Sequence, residues 1–316
     1  MKKILYAFAA IALMSGCKAG LSPTVDKANF SSATRIGAHM NYLASDELAG
    51  REAGTPGIEM AANYMVSFFE EHGVSPYFPD YRDTLDNFAP PAYNLVGILP
   101  GKDPDLKDEI VLIGAHYDHI GIGRPAEGDS IANGANDNAS GTSTVLELAR
   151  FFAQSGTNKR TLVFALFSAE EKGLKGSDHL ARKMKAAGAD LYTVLNFEMT
   201  GVPMQEKDYM VYVTGYKKSN IADVSNAHAG ENIVGFLPTA EGYNLFMRSD
   251  NYPFYEEYQV PAHTFSTFDF TNFDHYHQVG DEAKLMDFGH MAEVVNKMIP
   301  VVEGITNSLT REITLY

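Results

Sequence analysis

The chain has 316 residues, of which 45% are hydrophobic, 21% charged and 11% aromatic, a composition that can bury a sizeable core of its own. Its formal net charge of −15 argues against nucleic-acid phosphate as a partner, which needs a basic stripe. The single cysteine rules out a disulfide within the chain, so stability must come from packing, with metal as the one further aid.

The chain opens with MKKILYAFAAIALMSGC: a basic start at Lys2 and Lys3, an apolar stretch from Ile4 to Met14, and small residues Ser15 and Gly16 before Cys17. That is the layout of a secretory signal, with an apolar run too short for a comfortable membrane span. It resembles a bacterial lipoprotein signal, although Met14 stands where Leu is commoner. The resemblance implies that residues 1–16 are removed and that Cys17 becomes the lipidated first residue of an exported protein. Such a protein is held to a membrane by its lipid, at the periplasmic face or the cell surface. The other reading of Cys17 is an unpaired thiol inside a longer signal. Residues 17–30, polar and with a proline, read as a tether. Residues 31–316 contain no long linker, repeat or low-complexity tract and read as one domain.

SSATRIGAHMNYLASDELAG has the pattern of a capped helix ending at Gly50, and GREAGTPG that of a turn-rich loop. IEMAANYMVSFFEEHG places Ile58, Ala61, Ala62, Met65 and Phe69 at helical spacing before Gly73. AYNLVGILPG and EIVLIGAHYDH then read as strands, SGTSTVLELARFFAQSG as a helix, RTLVFALFSAEE as a strand and GSDHLARKMKAAG as a helix. LYTVLNFEMTG and PAHTFSTF repeat the strand pattern, and DEAKLMDFGHMAEVVNKMIPVVEGITNSL closes with a long helix. Apolar strands alternating with amphipathic helices predict an α/β fold of three layers, a mostly parallel sheet with helices on both faces.

The polar residues of interest fall at the ends of these strands. His116, Glu170 and Glu198 each follow an apolar run, and Asp137 stands in the loop before a helix. Open α/β sheets place their ligands outside the carboxyl ends of strands, so these residues are expected to converge. In HYDH, residues i and i+2 share a side of an extended chain, which lets His116 and Asp118 cooperate; the alternative is a solvated strand end. In NGANDNASG, Asp137 is the only charged group, and helix capping is the competing explanation. HYHQVGDE offers His275 and His277. Adjacent Glu170 and Glu171 at the end of a buried strand repel one another unless a positive partner lies beside them. Together His116, Asp137, Glu171, Glu198 and His277 suit divalent zinc, with other transition metals possible. Two ions about 3.5–4 Å apart are typical of hydrolytic sites of this composition.

The ordered set HYDH, GANDNASG, SAEEKGLKGS, NFEMTG and YHQVGDE resembles the M28 family of zinc exopeptidases, of the aminopeptidase-like clan. ASDELAGREAGTPG and YNLVGILPG extend the likeness to about residues 35–300. The resemblance implies a zinc exopeptidase fold with two Zn2+ per chain. His116, Asp137 and Glu198 would bind one ion and Asp137, Glu171 and His277 the other, with Asp137 bridging. Asp118 would orient His116, and Asp137–Asn138 would be a cis peptide. Family members often carry Asp in place of Glu198 and His in place of Asn251.

The implied activity is removal of N-terminal residues from peptides with a free N-terminus. Glu170, left off the metal, would take a proton from the zinc-activated water and return it to the leaving amine. The aromatic-rich segment Glu241–Phe273 suggests an apolar pocket, with Tyr243, Tyr252 and Phe268 as candidate substrate contacts. Glutaminyl cyclases resemble the same family, which itself includes carboxypeptidases, and these are the alternative reactions. A lipid-anchored binding protein without catalysis is the alternative of another class.

Overall fold

The computed structural model describes residues 25–126 and 128–316; the signal segment, Cys17 and the first part of the tether lie outside the described residues. The main sheet contains β1 (Ser75–Pro76), β2 (Arg82–Thr84), β3 (Tyr93–Leu99), β4 (Glu109–His116), β7 (Thr161–Phe167), β8 (Asp190–Phe197), β9 (Val211–Val213), β10 (Val234–Gly235) and β11 (Ala262–Ser266). A separate ribbon pairs β5 (Gly121–Ala126) with β6 (Asp129–Ala132). The order across the sheet is β1-β3-β7-β4-β8-β11-β9-β10, with β2 on β3. The central run β7-β4-β8-β11 is parallel, whereas β3 against β7 and β9 against β11 are antiparallel. The expectation of a mostly parallel sheet therefore holds at the centre and gives way at both flanks.

Alternation along the central strands builds both faces. Val111, Ile113 and Ala115, like Leu162, Phe164 and Leu166, join one core, while Ile110, Leu112, Val163, Ala165 and Phe167 join the other. Helices α1 (Ala33–Leu43), α2 (Pro56–His72), α3 (Gly141–Ser155), α5 (Ile221–Ala229) and α8 (Phe288–Asn307) cover the first face. Helices α4 (Lys175–Ala186) and α7 (Asn251–Tyr258) cover the second; α6 (Pro238–Gly242) is a short surface turn. Three layers result. Among the described residues no helix is long and apolar enough to cross a membrane.

Two boundaries differ from expectation. The domain's contacts begin before Ser31, because Phe30 packs on Phe151 at 5.0 Å and lies under the Arg150 guanidinium. The first helix stops at Leu43 rather than Gly50, and Asp46–Arg51 form 3-10 turns broken at Ala49 (φ 45°) and Gly50 (φ 70°). Gly50 is required there, since a Cβ would lie 2.4 Å from the Gly121 carbonyl oxygen.

The break delivers Arg51 into the interior. Its guanidinium donates to the main-chain carbonyls of Tyr117 (2.9 Å), Asn133 (2.7 Å), Gly134 (2.9 Å) and Leu43. Burial lowers its pKa to about 10, opposed by the charges of Asp281, Asp118 and Asp137, so it stays cationic at neutral pH. It ties the β4 exit, the turn before α3 and the end of α1 together. Arg51→Met is expected to cost about 3 kcal/mol or more in urea unfolding, because the carbonyls and carboxylates lose their shared cation. A loss under about 1 kcal/mol would show that water replaces the guanidinium.

Candidate active site

The parallel strands end side by side, and their exits carry the polar residues. His116 is the last residue of β4, Glu198 follows β8, and Glu170 and Glu171 follow β7 after Ser168 and Ala169. Asp137 lies in the irregular turn Ala135–Ser140 ahead of α3, and the Asp137–Asn138 bond is cis. Asn138 locks this turn: its amide donates to Phe197 O (3.0 Å), and its carbonyl oxygen accepts from Gly141 and Met199 N–H. His277 comes from the segment between β11 and α8, with φ 56°.

Asp137 is the hub. Its Oδ1 lies 3.3 Å from His116 Nε2, and its Oδ2 lies 3.1 Å from His277 Nε2. The same His277 atom is 3.2 Å from Glu171 Oε2. Glu198 receives the Ser249 hydroxyl and is near enough to His116 and Asp137 for their charges to act on it; burial raises it to about 7. His116, Asp137, Glu171, Glu198 and His277 thus meet at one edge, as expected.

His119 belongs with them, although only its neighbours His116 and Asp118 were expected to act. Its Nδ1 is 3.0 Å from Glu171 Oε1, and ligand atoms of His119, Asp137 and Glu171 lie within 4.8 Å of one another. The signal for it was the second histidine of HYDH. His275, the alternating partner of His277, stays outside the site against Gly280 and Phe273, because this segment turns rather than extends.

Supporting groups hold the ligands. Asp118 acts differently from expectation: His116 Nδ1 bonds the Asp118 main-chain carbonyl at 3.1 Å, while the nearer carboxylate oxygen stands at 3.8 Å. The Asp118 carboxylate instead accepts the N–H groups of Glu170 (3.1 Å) and Glu171 (3.4 Å), so it sets where both glutamates start. Asp281 does the same for the turn, accepting from Asn136 (2.7 Å) and Asp137 (3.0 Å). Asp250 is fully buried with no full hydrogen bond, the Ser177 hydroxyl facing it, and burial raises it to about 7. Asn251, where relatives of the resembling family carry His, is buried scaffold bonded to Phe246 O and Ala262 O.

Such a set fits a divalent cation. Carboxylates converge, and the buried Nε2 atoms of His116 and His119 have no hydrogen-bond partner among the described residues, as expected of imidazoles presented to a metal. The gathered carboxylates need a positive partner. A model of peptidase family M28 matches residues 94–302. The chain belongs to peptidase family M28.

M28 relatives give the scale of the likeness. Leucine aminopeptidase 1 of Aspergillus oryzae is 28% identical over 257 residues, 75% of this chain and 62% of that protein. Leucine aminopeptidase 1 of Trichophyton equinum is 32% identical over 168 residues, 52% and 41% of the respective chains. The chain thus spans under two thirds of the length of these relatives. Among solved structures, the Legionella pneumophila LapA aminopeptidase superposes with a TM-score of 0.70 at 22% identity, covering 90% of this chain and 74% of LapA. BSAP, a zinc aminopeptidase from Bacillus subtilis, gives 0.65 at 17% over 86% and 94%. Porphyromonas gingivalis glutaminyl cyclase gives 0.67 at 18% over 87% and 99%. At these identities the likeness is one of fold.

A cavity of about 50 Å³ opens beside Glu198. Phe268 lines it as expected, but Tyr243 and Tyr252 do not. Tyr243 is a surface residue leaning on Phe270 at 4.8 Å, and Tyr252 bonds Glu256 on the outside of α7. Nor is the wall simply apolar, because Thr264 and Ser266 from the end of β11 contribute to it.

Burial alone would lower His277, but its bonds to Asp137 and Glu171 outweigh that and raise it to about 10. His116 is likewise raised, with Glu170 and Asp137 overcoming burial. The His277 ring therefore holds a proton at neutral pH in the metal-free protein and must lose it to act as a ligand, and His116 is shifted in the same direction. Titration with a divalent transition metal at pH 7 is expected to release about one to two protons, read by calorimetry in buffers of different ionisation enthalpy. Uptake without proton release would contradict this.

Proposed function

We propose that the protein is a zinc-dependent aminopeptidase, hydrolysing the first peptide bond of substrates with a free N-terminus. The single observation carrying this reading is the two-sided use of Asp137, one oxygen toward His116 and the other toward His277 and Glu171. A bridging carboxylate between two ions needs that arrangement. On this reading His116, Asp137 and Glu198 hold one zinc, and Asp137, Glu171 and His277 hold the other. Bound zinc supplies Lewis acidity, making a water acidic near neutral pH and polarising the scissile carbonyl.

The chain's own residues do the rest. Among the described residues Glu170 makes no ion pair with the histidines that face Asp137 and Glu171, and it stands beside Glu171 on the turn after β7. Its carboxylate takes a proton from the attacking water and delivers it to the nitrogen of the leaving amine. Burial, with the negative charges of Glu198, Asp250 and Glu171, holds Glu170 above the ordinary carboxylate range, against the opposing charge of His116. A group that must both accept and return a proton benefits from that shift. Asp118 fixes the main chain under Glu170 and so its starting point.

The expected signature is an asymmetry between neighbours. Glu170→Gln lowers kcat by on the order of 10²–10⁴-fold while metal content stays near that of the wild type. Glu171→Gln loses metal. Metal analysis and aminoacyl-anilide kinetics on the same preparations check both, and equal metal loss in the two variants contradicts the division of labour.

The same proposal places the protein on a membrane, as an exported lipoprotein acylated at Cys17 and facing the periplasm or the cell surface; the layout of residues 1–17 supports it. Cys17→Ser is then expected to move the protein from the membrane fraction to the soluble fraction. Retention in the membrane fraction counts against the anchor.

A further inference from the structure

The cavity beside Glu198 is lined by a cation that no described residue pairs with. Arg248 lines it and is exposed at its rim. Among the described residues its guanidinium has no ion pair, side-chain hydrogen bond or aromatic partner. The chain carries 40 acidic residues against 25 basic ones, so an unpaired arginine is less expected here than an unpaired acid. Thr214, on the same wall, accepts from Thr264 N–H (3.2 Å) and donates to no described residue. The cavity therefore offers two donor groups, the Arg248 guanidinium and the Thr214 hydroxyl, without an acceptor among the described residues.

The remaining wall is part aromatic and part hydroxylated, with Ser249, Thr264 and Ser266 beside Phe268 and Tyr276. Phe268 packs on Phe270 at 4.5 Å and on Tyr276 at 5.5 Å, and Tyr276 stacks on His277 at 3.9 Å. An aromatic wall running from the ligand His277 suits methylene groups, and the guanidinium beyond suits a planar, two-oxygen acceptor. Glu198 is the one carboxylate in the lining, and on the reading above its charge is taken up by metal.

We propose that this cavity receives the side chain of the N-terminal residue and that Arg248 selects side chains ending in a carboxylate, glutamate or aspartate. This departs from the apolar preference suggested by the aromatic content of the segment, and it rests on the aminopeptidase reading. Arg248 is a specificity residue here and takes no part in bond cleavage.

The test compares glutamyl, glutaminyl, leucyl and lysyl anilides, with calorimetric binding of free L-glutamate and L-leucine, in the zinc-loaded wild type, Arg248→Ala and Arg248→Glu. A charge-assisted contact predicts that Arg248→Ala lowers the glutamyl-to-leucyl ratio of kcat/KM by on the order of tenfold or more, chiefly through KM. Arg248→Glu should shift preference toward the lysyl substrate. L-Glutamate should bind more tightly than L-leucine in the wild type and lose that advantage in Arg248→Ala. A glutamyl-to-leucyl ratio indifferent to Arg248 overturns the inference while leaving an aminopeptidase in place. So does Arg248-dependent cleavage of an N-blocked peptide with a free C-terminus, which would assign the guanidinium to a terminal carboxylate. If no anilide is cleaved, the aminopeptidase reading falls and the binding arm still decides. Equal affinities for the two amino acids overturn the pocket assignment, and Arg248-dependent selectivity for L-glutamate upholds it.

Discussion

The constraint on which the site depends is like charge gathered in one place. Asp137, Glu170, Glu171 and Glu198 meet at the carboxyl edge of the sheet, with Asp118, Asp250 and Asp281 buried close behind. Carboxylates packed together in a partly dry setting repel one another and resist ionisation. Asp118, Asp250 and Asp281 are each pushed up to about 7, burial being the largest cause, whereas in Asp137 and Glu171 burial is outweighed by the histidines beside them and both are lowered. Without metal, the His277 ring between Asp137 and Glu171 carries part of the compensation. A divalent cation does the same with a fixed geometry.

Placing such a cluster demands a rigid frame. The central parallel strands supply it, because their exits lie side by side and both faces are covered by helices. Between the exits, main-chain groups are locked by side chains. Asp281 holds the Asn136–Asp137 amides, Asp118 holds the Glu170–Glu171 amides, and Asn138 bonds the ends of β8 and the start of α3. Arg51 sits under this layer as a permanent cation, bonded to carbonyls and set among Asp118, Asp137 and Asp281. Its position explains why the chain breaks out of helix at Ala49–Gly50: a continued helix would not turn the guanidinium inward.

Beside the rigid floor, the cavity next to Glu198 draws on less regular segments. Its walls come from the end of β11, the residues after β9 and the turns before α7. Conserving the floor while varying such walls is how one fold hosts different specificities, in keeping with the aminopeptidase and glutaminyl cyclase structures that share this fold.

Local pattern carried much of this protein into view. Apolar runs followed by His116, Glu170 or Glu198 mark strand ends, and alternation with helices implies a sheet whose ligands gather at one edge. Those signals are short-range, so the ordered residues could be read along the chain, and with them the M28 likeness. The supporting residues were different. Asp281 bonds the amide of Asp137 across 144 positions, and Arg51 reaches Gly134 across 83; no periodicity ties such pairs. His119, Asp250 and Arg248 likewise depend on which segments pack together, since burial and the absence of a partner are properties of surroundings. The sequence by itself thus determined which residues gather at the strand ends, His119 excepted. Their support, and the donor-rich wall beside them, were decided only by tertiary structure, because a side chain's charge and hydrogen-bond partners are settled by what folds against it.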